Sequence, residues 1–149
     1  MKALFINGSP NPKGATARLA ETLLAGRPHE TVELGTTKVY DYGQSFDDDQ
    51  FDEVLAKMRA ADLLVLGSPV YWHDLSGMLR NLLDRCYGPV EEGDFAGKRL
   101  VFIFQGASPT KEMFERAEYT MRRFAGLYGA EYLGMVTTER EAKAMARRL

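Results

Sequence analysis

The sequence is poor in the residues that build covalent cross-links and metal sites. Cys86 is its only cysteine, so no disulfide framework can form within the chain. Its two histidines, His29 and His73, lie far apart without ligand spacing, and a metal site is not expected. No apolar run nears the ~20 residues that span a bilayer. The segment before Asn7-Gly8 is too short for a signal peptide, which leads to an expected cytoplasmic location. An excess of one charge is lacking as well: 19 Lys and Arg face 21 Asp and Glu, for a formal net charge of −2. General nucleic-acid binding needs a basic surface that displaces phosphate counterions, and is therefore not expected. A strongly acidic face for basic partners is equally missing. What remains is a chain of 149 residues with hydrophobic content of 45%, sufficient for one domain, residues 1–149, with an ordinary core.

Three short apolar runs read as strands buried on both faces: Ala3-Leu4-Phe5-Ile6, Leu63-Leu64-Val65-Leu66 stopped by Gly67-Ser68-Pro69, and Leu100-Val101-Phe102-Ile103-Phe104. Two weaker strands are predicted near Thr31 to Leu34, at the sheet edge, and over Glu131 to Val136. Helical stripes separate them. Leu19, Leu23 and Leu24 follow Thr16, and Phe51, Val54, Leu55 and Met58 follow Asp47-Asp48-Asp49. Leu75, Leu79, Leu82, Leu83 and Cys86 form a third stripe. Phe114, Ala117, Met121, Phe124 and Tyr128 run to a stop at Gly129. Thr138-Glu139-Arg140-Glu141 fits a capping box ahead of Ala142, Met145, Ala146 and Leu149. Five alternations of strand and helix predict an α/β fold with a three-layer, doubly wound, five-stranded parallel sheet, flavodoxin-like in the order 2-1-3-4-5. Gly35 to Gln50, carrying Tyr40, Tyr42 and Phe46, is the one long irregular segment, expected to be functional or mobile.

Ligands of such sheets bind beyond the carboxyl ends of the strands, where strand order reverses. That rule nominates three loops. Gly8 to Thr16 offers Ser9, Asn11 and Thr16 as side-chain donors, Lys13 as a charge, and Ala15 at a helix start that suits an anion. It is neither a Walker A loop nor a dinucleotide fingerprint, because five residues separate Gly8 from Gly14 and Pro10 stands where the fingerprint needs glycine. Ser68 to Asp74 holds Pro69, Val70, Tyr71 and the only tryptophan, Trp72, aromatic groups able to flank a planar ring. Gly106 to Lys111, preceded by Gln105, allows close backbone approach at Gly106, Ala107 and Ser108, with Ser108 expected as a helix N-cap and Pro109 as the first helical residue. An anion end and a flat, aromatic-lined end together suit FMN.

These residues resemble the flavodoxin-like NAD(P)H-dependent FMN oxidoreductases. Gly8-Ser9-Pro10 through Thr16 is similar to that family's phosphate loop. Gly67-Ser68-Pro69-Val70-Tyr71-Trp72, with Ser76-Gly77-Met78-Leu79 and Leu83-Asp84-Arg85, is similar to its flavin-ring loop and following helix. The resemblance implies bound FMN, NADPH or NADH as co-substrate, a quinone-like or other small electron acceptor, and a homodimer. It also implies that the flavin carries the hydride chemistry, so no catalytic side chain is assigned. Asn11 stands where many members have a basic residue and Ala15 where they have a small polar one, leaving Lys13 or Arg18 to supply charge. An FMN-binding electron carrier without nicotinamide activity is the alternative, and a flavin-free regulatory domain a second one. Cys86, on its leucine stripe, reads as a buried structural thiol.

Overall fold

The computed structural model describes residues 1–149. Strands β1 (Ala3–Asn7), β3 (Leu63–Tyr71) and β5 (Arg99–Gln105) grow from the three apolar runs, with β2 (His29–Glu33) and β6 (Glu131–Val136) at the edges. A two-residue strand, β4 (Asp74–Leu75), turns back antiparallel on the end of β3. The sheet order is β2-β1-β3-β5-β6, all parallel, which is the expected 2-1-3-4-5 once the short β4 is set aside. Helices α1 (Ala15–Leu24) and α5 (Glu139–Ala146) cover one face. On the other lie α2 (Phe51–Ala60), α3 (Gly77–Arg85) and α4 (Lys111–Tyr128).

Burial follows the sheet pleat. Leu64, Leu66, Phe102 and Phe104 point into the larger cluster beneath α2, α3 and α4, and Leu63, Val65, Val101 and Ile103 into the smaller one beneath α1 and α5. Each central strand is thus apolar on both faces, as an unbroken hydrophobic run requires.

The structure corrects several expectations. Gly67-Ser68-Pro69 does not stop β3, which continues to Tyr71 because β5 runs beside it, pairing Ser68 with Phe104 and Pro69 with Gln105. Gly67 accepts the Gly8 N–H across the β1 side. Hydrogen-bonding direction alternates along a strand, so Pro69 faces that same side, beyond the last β1 residue, where its missing N–H costs nothing. Leu75 belongs to β4 rather than to a helix. Thr110, not Ser108, caps α4, its hydroxyl accepting the Met113 N–H, and Lys111 is the first helical residue rather than Pro109. The last helix ends at Ala146, short of Leu149.

The segment from Gly35 to Gln50 is pinned along α3. Asn81 donates to the Val39 carbonyl, and Arg85 to the Tyr40 carbonyl and the Asp49 carboxylate. Asp48 accepts from both Lys38 and Tyr40. Asp49 also accepts the Phe51 N–H, so it serves the start of α2 as expected and clamps the segment besides. The capping box at Thr138 is present: its hydroxyl accepts the Glu141 N–H, and the Glu141 carboxylate accepts the Thr138 N–H. Thr138→Ala should cost about 1 kcal/mol, some 2–4 °C in a thermal melt for a chain of this size.

Candidate functional site

The first loop is a ladder of side-chain turns. The buried Asn7 side chain accepts the Ser9 N–H at 3.1 Å, the Ser9 hydroxyl accepts the Asn11 N–H at 3.1 Å, and the Asn11 amide oxygen accepts the Lys13 N–H at 3.0 Å. Every rung uses an acceptor, which leaves the Ser9 hydroxyl hydrogen and the Asn11 amide N–H groups as spare donors. The ladder delivers the chain to α1 with Gly14 as an N-cap that provides no side-chain oxygen. No acidic residue lies in the first turn, and the Ala15, Thr16 and Ala17 N–H groups find no acceptor in the chain.

The other helices differ. Ser76, Thr110 and Thr138 cap α3, α4 and α5, and α2 has Asp52 and Glu53 in its first turn. N–H groups without an acceptor and the positive end of the helix dipole therefore meet at the rim only on α1, with Ala15 half-buried and Thr16 and Ala17 buried. Lys13 is exposed beside them, and Arg18 reaches back to donate to the Lys13 carbonyl at 3.0 Å.

Beneath this loop the packing is closed. Gly8 donates to the Gly67 carbonyl at 2.7 Å, Ser76 donates its hydroxyl to the Gly8 carbonyl at 2.6 Å, and the Ser76 N–H meets the Ser68 hydroxyl at 2.8 Å. Thr16 is wholly buried, its hydroxyl accepting the Gln105 amide N–H at 3.1 Å. The structure thus makes Thr16 and Gln105 the tie between the first and third loops, with Thr16 buried and Gln105 half-buried at the rim.

The second and third loops meet at Val70 and Gly106. A Cβ on Gly106 would lie 2.9 Å from the Val70 Cβ, so only glycine lets these two backbones form a common floor. Ala107 and Ser108 rise exposed on one side and Tyr71 and Trp72 on the other. The β3–β4 turn consists of Trp72 and His73 alone, both left-handed at φ 46° and 64°. Two-residue hairpin turns of this kind ordinarily use Asn-Gly, and each such non-glycine residue carries strain of about 1–3 kcal/mol. Trp72 is 94% exposed, so nothing in the core accounts for that strain.

Two cavities open on this rim. One of ≈ 460 Å³ runs from Ala15 and Arg18 past Gln105 and Gly106 to Thr137 and Thr138. The other, ≈ 510 Å³, separates Trp72, His73 and Asp74 from Thr110, Met113 and Arg116. Arg116 was not a candidate in the sequence. It lies 43 residues from His73, whose carbonyl it reaches at 3.0 Å, and no local pattern marks it. An apolar groove of ≈ 320 Å³ between α3, α4 and Tyr42 lies off the rim. Cys86 is fully buried, and burial pushes its thiol up to about 12, the reverse of what a reactive thiolate needs. No helix of the chain is long and apolar enough to cross a membrane.

The chain is 34% identical over 99 residues to an iron-sulfur flavoprotein of Methanocaldococcus jannaschii, covering 57% of this chain and 51% of that protein. It spans about half the length of the curated relatives it matches. Among solved structures, the Trp repressor binding protein from Bacillus subtilis superimposes with a TM-score of 0.75 at 21% identity, covering 100% of this chain and 98% of that one. A flavone reductase gives 0.82 at 17% identity, covering 99% and 61%. Identities this low establish the flavodoxin-like fold and nothing finer. A family model described as NADPH-dependent FMN reductase matches residues 1–145. The chain belongs to the NADPH-dependent FMN reductase family of flavin oxidoreductases.

Proposed function

We propose that this chain binds FMN across the rim and passes hydride from NADPH or NADH to a quinone-like or other small acceptor. The observation that carries this reading is the bare amino end of α1, opening on the same rim as the Val70–Gly106 floor. A phosphate monoester fits the first feature and a flat heterocycle the second. The Ala15, Thr16 and Ala17 N–H groups, with Ser9, Asn11 and Lys13, would hold the phosphate. Pro69 and Val70 support the floor, and Tyr71 and Trp72 opposite Ala107 and Ser108 would bracket the ring. When bound, FMN supplies the two-electron chemistry. The residues here bind, orient and exclude water, and the backbone N–H groups near Tyr71, Trp72 and Gly106 are fixed donors for negative charge at the ring.

The relatives' name raises a second group, an iron–sulfur cluster, and this chain's residues do not fit one. Such clusters take several cysteine thiolates. Here the single thiol is buried, and no three His, Cys, Asp or Glu side chains converge. The reading includes a cytoplasmic location, a homodimer, and no nucleic-acid or membrane partner.

Anaerobic titration tests it. The purified chain should take up FMN, and added NADPH or NADH should bleach the flavin absorbance within the mixing time. Bound flavin that stays oxidised under both nicotinamides would instead make the chain an electron carrier. Failure to take up FMN at all would overturn the assignment.

A further inference from the structure

We propose that Arg116 is a positioning residue that holds the Trp72–His73 turn at the ring side of the rim. The inference rests on the FMN reading above for its binding consequences, but its geometry stands apart from it. Trp72 and His73 are both exposed and both left-handed, so neither packing nor backbone preference selects their conformation. The Tyr71–Asp74 and Val70–Leu75 pairings close the hairpin and demand the left-handed turn, but they do not tie it to the opposite wall of the cleft. One hydrogen bond reaches the turn from another element: the Arg116 guanidinium, on the second turn of α4, donates to the His73 carbonyl at 3.0 Å. Glu112, one helical turn earlier, accepts from the same guanidinium at 3.3 Å and aims it.

The guanidinium thereby bridges the ≈ 510 Å³ groove between the turn and α4. Because α4 follows directly from the third loop, this bridge sets the distance between the two walls of the cleft. Removing it leaves the strained turn held by the short β3–β4 pairing alone, which would let Trp72 and the neighbouring N–H groups swing away from the ring. Lysine, with a donor at the end of a similar stem, can restore part of the bridge, whereas methionine cannot.

Trp72 is the only tryptophan and sits in this turn, so it reports on the turn without labelling. In flavin-free Arg116→Met, Trp72 fluorescence anisotropy should fall below the wild-type value while circular dichroism shows the fold intact. FMN affinity should drop about tenfold, as expected when a wall of a binding cleft is no longer held in place. The flavin midpoint potential should move to more negative values, because donors facing the reduced ring are displaced. Arg116→Lys should recover most of the affinity and the anisotropy, and Glu112→Gln should fall between them.

Wild-type anisotropy, affinity and potential in Arg116→Met would overturn the proposal. If that variant does not fold, unchanged values in both Arg116→Gln and Glu112→Gln would do the same. A wild-type chain that takes up no FMN would defeat the functional reading instead, and the anisotropy comparison would still decide the role of Arg116.

Discussion

Replacing Ala15 with aspartate should raise the stability of the flavin-free protein by about 0.5 kcal/mol while lowering FMN affinity about 100-fold or more. Both effects have one origin. The amino end of α1 has no cap and no acid, so a carboxylate in its first turn gains the dipole and the loose N–H groups. The same carboxylate occupies the electrostatic seat proposed for the phosphate. Two unit charges ~4 Å apart at an effective dielectric of about 20 repel by about 4 kcal/mol, and a factor of 100 needs only about 2.7. Thermal melts of the empty protein and flavin-fluorescence titration would show the two opposite signs. Weakened stability together with unchanged affinity would place the anion elsewhere.

Gly8→Ala should be the most damaging single methyl group in the chain. The added Cβ would lie 2.6 Å from the Gly67 carbonyl oxygen and 2.9 Å from the Leu79 Cβ, contacts to backbone and to a buried helix that cannot swing aside. Separating them stretches the Gly8–Gly67 and Ser76–Gly8 hydrogen bonds that tie β1, β3 and α3 together at the rim. Overpacking of this kind costs about 3 kcal/mol, so the melting temperature should fall by about 6–12 °C, with FMN affinity falling alongside. Gly77→Ala is the matching control. A Cβ there meets nothing within 4 Å, and the position begins a helix, so the melt should hold steady or rise slightly.

What the sequence made legible was set by local pattern. Strands such as Leu63-Leu64-Val65-Leu66 are buried on both faces and announce themselves as unbroken runs. Thr138 and Glu141 announce a helix start because the capping box is contained within four residues. The misreadings arose where a distant neighbour decides. Gly67-Ser68-Pro69 has the composition of a stop, but β5 alongside carries the strand on, and the end of β1 makes room for the proline. Trp72-His73 gives no turn signal, since a turn of this type ordinarily asks for asparagine and glycine. Ser108-Pro109 offered a sound cap, but Thr110 with Met113 takes the role two residues later. Thr16 illustrates the limit within the candidate site: its place beside the first loop was evident, but its burial against Gln105, 89 residues away, was not.

The depth of Cys86 has a practical consequence. Its sulfur is sealed within the larger cluster, with the Tyr128 hydroxyl donating to its carbonyl, and only the ionised thiol attacks thiol reagents. Modification of this thiol in the intact molecule must therefore wait for a breathing event large enough to expose α3. The rate at which a chromogenic disulfide reagent consumes this one thiol becomes a clock for such events, readable on the unlabelled protein in dilute buffer.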